Sequence, residues 1–281
     1  MKLIVEPKSK KNLYTEIADG LILSLEEFSV GSIVYFSLKE IKDITKNTNI
    51  DIFININKNL MNEDIPKISK ILKELDKLNI KGIFFYDIAL VELKEELKLK
   101  VDLVWSQTHM VNNYRTCDYY YSKGVKYALL GKEITIEEIK EIVTKSNIQS
   151  MVEVVSIPHV AFSKRKLLTS FYKDLNKKVK KDILVGEKVS QETYEVMEED
   201  NGTSFFLERI VNGTSIIKDL YEVNTPYIIF REYKIPNFKE LIIDTKKYIE
   251  GNCLDNNYLD KYQSLGDFTN FFHKKTIYKV K

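Results

Sequence analysis

The stretch DIFININKNLMNEDIPKISKILKELDKLNIKGIFFYD, residues 51–87, holds a complete strand–helix–strand unit. Its ends, 51–56 and 82–86, are near-continuous apolar runs of strand length. A strand buried on both faces under helices reads this way, whereas a strand with one wet face alternates. Between them Ile65, Ile68, Ile71, Leu72, Leu75 and Leu78 recur at helical spacing. Pro66 stands in the first turn of that helix, where its missing N–H costs little.

The same unit recurs outward in both directions. Further strand-type runs lie at 3–5, 20–25, 101–105, 126–130, 150–155 and 226–230. Ser37 with Glu40, and Thr135 with Glu138, fit the capping box, in which side chains satisfy the first free N–H groups of a helix. Alternating strands and helices imply a parallel α/β fold. Eight candidate strands point to a closed, TIM-barrel-like (β/α)8 architecture, with a doubly wound open sheet as the alternative. One region, about 183–217, breaks the alternation. Residues 193–197 and 204–210 flank a turn at Asp200, Asn201 and Gly202, which predicts a β-hairpin inserted before the last strand. Asn212 and Gly213 form a second turn signal. Both Asn-Gly-Thr triplets match a glycosylation acceptor, but without a secretion signal they read as turns. The lysine-rich stretch 173–181 reads as a solvated helix end or linker. The expected organisation is one barrel domain over 1–250, including the insertion, and an aromatic C-terminal tail over 251–281 packed on it.

Composition narrows the function classes. The 281 residues (32.9 kDa) are ample for a large core. Lys+Arg 43 against Asp+Glu 41 leaves a net +2, which excludes the strong basic excess of a nucleic-acid wrapper. Only Arg115, Arg165, Arg209 and Arg231 are arginine, so 39 of the 43 basic residues are lysine, most simply an AT-rich coding bias. Two cysteines, Cys117 and Cys253, exclude a disulfide scaffold, a zinc knuckle and a four-cysteine iron–sulfur site within this chain. No apolar run approaches membrane-spanning length, and residues 1–11 are too short and too charged for a secretion signal. A soluble, reduced, cytoplasmic protein without membrane contact is expected.

In such a barrel the reactive face lies at the carboxyl ends of the strands. The residues there are Glu6, Asn55, Asn57, Asp87, the run Ser106, Gln107, Thr108 and His109, then Lys132, Glu133, Ser156, His159, Arg231 and Glu232. This polar rim suits a small polar ligand, hydrolysis or a divalent metal. Several members also have plain structural readings. Glu133 precedes a capped helix and favours its N-terminus; Asp87 caps the helix that follows. His109 and His159 could pair as metal ligands across neighbouring strand ends, but two histidines form no ligand-spacing motif, and no metal is assigned to them. His273 reads as a packing residue of the aromatic tail. Neither cysteine has a histidine near in sequence to act as its base. No G-x-S-x-G, H-E-x-x-H, phosphate loop or G-x-G-x-x-G occurs.

In patches spread nearly end to end, the chain resembles the peptidase U32 family. KLIVEPKS (2–9), FSLKEIKDI (36–44), ININ (54–57) and FFYD (84–87) resemble its opening strand, second helix and two later strand ends. LGKEITIEEI (130–139) is similar to the family's L-x-R-E-L-S-x-E-E-I, with Glu133 on its glutamate and Lys132 on its arginine. EDNGT (199–203) resembles its hairpin, REYK (231–234) places Glu232 on the glutamate of I-E-G-R, and 268–281 resembles its closing aromatic segment. The departures are specific. Where the family has H-G-x-x-C-x-x-Y-S-G-x-C, this chain has Val155 and Ser156 for H-G, His159 for the first cysteine and Lys166 for the second. The later C-x-x-x-C element is replaced by lysine-rich sequence. The family's serine-threonine-glutamine run is altered to Ser106, Gln107 and Thr108, while Asn113 matches.

The resemblance implies two readings. In the first the chain is a U32 hydrolase of peptidase type with a cysteine-free site: Glu133, Asp87 and Glu232 act in catalysis, and Asn57, Gln107, Asn113, Lys132 and Arg231 bind substrate. Two of the carboxylates then share acid and base roles, or hold a divalent metal whose bound water attacks an amide. In the second it is a non-catalytic relative that binds RNA or a nucleotide, or partners a cysteine-containing U32 protein of the tRNA-hydroxylation type. No organic cofactor and no iron–sulfur cluster are expected in either.

Overall fold

The computed structural model describes residues 1–107, 109–188 and 191–266. Seven strands come first: β1 (Lys2–Glu6), β2 (Gly20–Ser24), β3 (Asp51–Ile56), β4 (Gly82–Phe85), β5 (Leu103–Trp105), β6 (Tyr127–Leu129) and β7 (Gln149–Ser156). Four more form a separate antiparallel sheet: β8 (His159–Ser163), β9 (Asp182–Gly186), β10 (Thr193–Glu199) and β11 (Gly202–Leu207). The two-residue β12 (Val211–Asn212) and the last strand, β13 (Tyr227–Arg231), follow. Helices α1 (Leu38–Asn47), α2 (Ile65–Leu75), α3 (Ala89–Glu96), α4 (Tyr114–Ser122) and α5 (Ile136–Lys145) separate the barrel strands from β2 onward. After them come α6 (Leu167–Asp174) in the insertion, α7 (Ile217–Glu222), α8 (Phe238–Glu250) and α9 (Asn256–Tyr262).

Pairing closes the barrel. Neighbours β1 to β7 are joined in parallel, Tyr227 of β13 is in register with Met151 of β7, and Lys2 of β1 with Tyr227. Eight parallel strands with helices between them make a (β/α)8 barrel, and the closure removes the open-sheet alternative. Every barrel strand sends a side chain into one interior cluster, which includes Ile4, Ile22, Phe53, Phe84, Val104 and Met151. Phe53 sits at its centre, with ring centroids 5.9 Å from Tyr227 and 6.0 Å from Tyr127. The larger cluster lies between the strands and the outer helices, as double-sided burial of apolar strands requires.

Local signals hold where the chemistry is local. Ser37 Oγ accepts from the Glu40 N–H at 3.3 Å while the Ser37 N–H donates to Glu40 Oε2 at 2.8 Å. Thr135 and Glu138 repeat the arrangement at α5. Besides the insertion, the alternation fails between β1 and β2, where residues 7–19 form no helix. This loop has no helical period; Tyr14 anchors it by an edge-on ring contact with Phe238 at 5.5 Å.

The insertion is larger than a hairpin. The expected hairpin is β10–β11, turning at Asp200 and Asn201, but β8 and β9 flank it in the order β8-β11-β10-β9. The antiparallel sheet therefore begins at His159, and β12 has already returned to pair with β7. Gly202 has φ +142°, and a Cβ there would strike the Ser163 carbonyl of β8, so glycine is needed where these strands cross. Beyond α8, Tyr258 of α9 stacks on Tyr248 at 4.3 Å. The expected aromatic segment 268–281, with His273, lies outside the described residues. Among the described residues no helix is long and apolar enough to cross a membrane.

Candidate functional site

Parallel closure gathers the strand ends on one face. Glu6 of β1 lies in register with Arg231 of β13, and Ser24 of β2 with Asn55 of β3. A connected polar network follows. Arg231 Nε donates to Glu153 Oε2 at 2.6 Å, and a terminal guanidinium nitrogen of Arg231 pairs with Glu6. Lys132 Nζ meets the other oxygen of Glu153 at 2.5 Å, and the Ser156 hydroxyl donates to that oxygen too. On the far side Ser32 Oγ donates to Glu6 Oε1 at 3.0 Å, Ser24 and Ser32 are joined at 2.6 Å, and Asn55 Nδ2 donates to Ser24 Oγ at 3.1 Å. Burial pushes the Arg231 guanidinium down to about 10, so it is still a cation at neutral pH.

The insertion roofs this network. Asn201 Nδ2 donates to the Ser29 carbonyl at 3.0 Å, Tyr35 donates to Glu199 at 2.5 Å, and Tyr233 to Glu195 at 2.8 Å. Beneath lies a cavity of about 80 Å³, whose walls include Lys132, Glu153, Arg231, His159, Phe84 and Phe206. His159 enters from the start of β8 and packs on Phe206 at 5.1 Å. Gly31, at φ +66°, lies against the imidazole, 2.7 Å from where a Cβ would stand. Burial first, and then the charge of Lys132, lowers His159 to about 4, so the ring is neutral near pH 7. Its Nε2 is sealed from solvent and has no hydrogen-bond partner among the described residues.

The sequence model of the family described as Peptidase family U32 matches residues 6–228. The chain belongs to peptidase family U32. Over 308 aligned positions it is 22% identical to tRNA hydroxylation protein P2 of Bacillus subtilis (strain 168), covering 99% of each chain. Among solved structures it is similar to 3-hexulose-6-phosphate synthase from Salmonella typhimurium, at TM-score 0.45 and 8% identity, over 88% of this chain and 98% of that one. A chitinase from Rhizomucor miehei matches at TM-score 0.44 and 8% identity, over 88% and 99%.

The U32 chain distributes its sequence-expected site residues unevenly. Lys132 and Arg231 line the cavity as cations of the network. Asn57 lines it too, but its amide is closed on the Val30 backbone, at 2.8 Å to the N–H and 3.0 Å to the carbonyl. Glu232 reaches the cavity edge while accepting from Tyr14 at 2.5 Å and from the Lys8 N–H at 2.8 Å. Asp87 accepts from the Leu60 and Ala89 N–H groups at 2.8 and 3.0 Å. Gln107 bridges the Trp105 indole and the Tyr86 carbonyl, and Asn113 caps α4. Glu133 is exposed and is not among the cavity's lining residues. Thr108 lies outside the described residues. His109 is exposed and shares an adjoining groove with His159. No group of three His, Cys, Asp or Glu suited to a metal occurs among the described residues.

The residues present do not fit an iron–sulfur cluster. Cys117 on α4 and Cys253 beyond α8 are buried apart from the mouth, and burial raises them to about 12 and about 11, so both are thiols, not thiolate ligands. His159 and Lys166, which the sequence resemblance sets against the family's first two signature cysteines, both belong to the roof, where Lys166 Nζ binds the Glu199 carbonyl. Glu153, Ser32 and Gly31 were not among the expected residues. Glu153 had a signal, as the one charge in an otherwise apolar strand, MVEVV.

Proposed function

We propose that this U32 chain is a ligand-holding component of tRNA hydroxylation and does not act as a peptidase. The observation that carries this reading is the state of the charges at the barrel mouth. Glu6, Arg231, Glu153 and Lys132 neutralise one another in sequence, while each carboxylate expected to act in catalysis is engaged elsewhere or lies outside the cavity. Peptide hydrolysis needs a nucleophile or bound water with a free base in reach, and Asp87, Glu133 and Glu232 do not converge on a common point to supply one. A roofed pocket with opposed cations and anions and apolar walls suits capture of a small polar ligand away from water. The end-to-end match to a tRNA hydroxylation protein supports that setting. The two buried thiols favour a role beside a cysteine-containing U32 partner over one that carries a cluster itself.

The test is deletion of the gene in its host, followed by mass spectrometry of tRNA nucleosides. A hydroxylated nucleoside should disappear, return with the wild-type gene, and stay absent with Arg231→Gln. An unchanged set of hydroxylated nucleosides overturns the reading.

A further inference from the structure

The charge of this chain is segregated. Residues 164–188 carry nine Lys and Arg against three Asp and Glu, a local +6 in a chain of net +2. The remainder holds 34 basic residues against 38 acidic ones and is net negative. Coding bias towards lysine raises the count everywhere but does not separate the signs. The segment comprises α6, the linker after it and β9, all within the insertion whose inner side roofs the cavity. Lys173, Lys177, Lys178, Lys180, Lys181 and Lys188 are exposed, and none of them forms an ion pair among the described residues. Exposed lysines elsewhere include paired ones, as Lys10 with Glu40 and Lys261 with Glu240, and ones with no ion pair among the described residues, such as Lys39 and Lys73, so the local excess of charge is what sets this segment apart.

The segment also exposes apolar surface. Phe171 is 52% exposed and Leu184 57%, among the most exposed large apolar side chains of the protein. β9 is an edge strand whose outer side is unpaired among the described residues. Exposed apolar groups on an edge strand invite aggregation unless charges guard them, and the lysines do so. A dense field of unpaired cations around an exposed ring also fits a nucleic acid strand, with phosphates on the ammonium groups and an unpaired base on the ring.

We infer that segment 164–188 is an RNA-docking surface, taking the phosphate backbone of a tRNA with an unpaired base against Phe171. This rests on the tRNA-hydroxylation reading and adds where the RNA binds. The basic surface then holds the RNA on the module that covers the ligand cavity.

Fluorescence anisotropy with an unmodified tRNA transcript and the full chain tests it. Replacing Lys173, Lys177, Lys178 and Lys180 together by Gln should weaken binding at least about tenfold at near-physiological salt, and lower the log–log salt slope by about 3. The control replaces Lys39, Lys46, Lys70 and Lys73 by Gln, exposed lysines of α1 and α2 with the same change in charge. It should bind within about twofold of wild type if the effect is local. Phe171→Ala should cost about a further tenfold without altering the salt slope. Equal affinity of the two quadruple variants overturns the inference, as does binding to phosphatidylserine vesicles without binding to tRNA. Loss of the hydroxylated nucleoside in the deletion strain together with no tRNA binding by the wild-type chain rejects this surface and leaves the proposed function standing. Unchanged nucleosides in that strain reject the proposed function itself.

Discussion

The Arg231 guanidinium and the Glu153 carboxylate meet at 2.6 Å across adjacent strands, β13 and β7, where the barrel opens beneath its roof. Glu153 is the shared anion of this centre, because Lys132 holds its other oxygen. Glu153→Ala leaves two cations facing each other in a semi-enclosed space. Removing one partner of a buried charge pair costs about 3–5 kcal/mol, so the thermal midpoint should fall by many degrees. Glu153→Gln keeps the shape and should recover part of the loss. A wild-type midpoint for the alanine variant in calorimetry would contradict the centre's structural weight.

Glu133 offers the opposite expectation. Its side chain is exposed and does not line the cavity. Glu133→Gln should leave the unfolding free energy within about 0.5 kcal/mol of wild type, the usual range for exposed substitutions. It should also restore hydroxylated tRNA nucleosides in the deletion strain as fully as the wild-type gene. Failure to complement at normal protein levels would return Glu133 to the active machinery.

His159 makes stability depend on pH. Its folded value, about 4, lies below the ordinary value of 6.5, so the unfolded chain binds the proton more tightly. Its stabilising contribution is therefore complete above about pH 6.5 and is lost as pH falls towards 4. A shift of this size corresponds to a loss of up to about 3 kcal/mol. Between pH 6.5 and 5, above the range where most carboxylates titrate, the unfolding midpoint should fall. His159→Gln should flatten that slope. An equally steep slope in the variant would assign the effect to another group.

Gly31→Ala tests the contact between barrel and roof. The left-handed backbone at φ +66° alone penalises a side chain by about 1–2 kcal/mol. The added methyl also meets the His159 ring, which sits at the root of β8. The variant should unfold at lower temperature, and proteases should cut within 159–207 sooner than in wild type. Wild-type stability and digestion would show that the roof does not depend on this contact.

The fold was largely legible because its signals are local or strictly periodic. Apolar runs marked all eight barrel strands, and the capping boxes at Ser37 and Thr135 formed as their spacing implies. The insertion was legible only at its turn. β8, HVAFS, is half-exposed and gains its pairing from β11 some forty residues later, a register no local pattern encodes. The candidate site was less legible for a different reason. Polar residues after barrel strands do two jobs, and composition does not separate them. Asn57, Asp87, Gln107 and Asn113 satisfy nearby backbone or side-chain groups, whereas Glu153, lying within its strand instead of after it, faces the cavity.

β12 pairs with the end of β7 so that Val211 stands opposite Ser156. Paired Cα atoms on antiparallel strands lie about 5 Å apart, so the chain leaves the barrel and comes back through almost the same point. The roof is thus a cassette whose two chain ends meet at one point of the barrel. A short turn could bridge the gap, and none of the eight strand pairings that close the barrel draws on the excised segment. Such a roof can be lost, exchanged or elaborated between relatives without re-engineering the barrel beneath. Two proteins of this architecture can therefore share a mouth and differ entirely in what is presented above it.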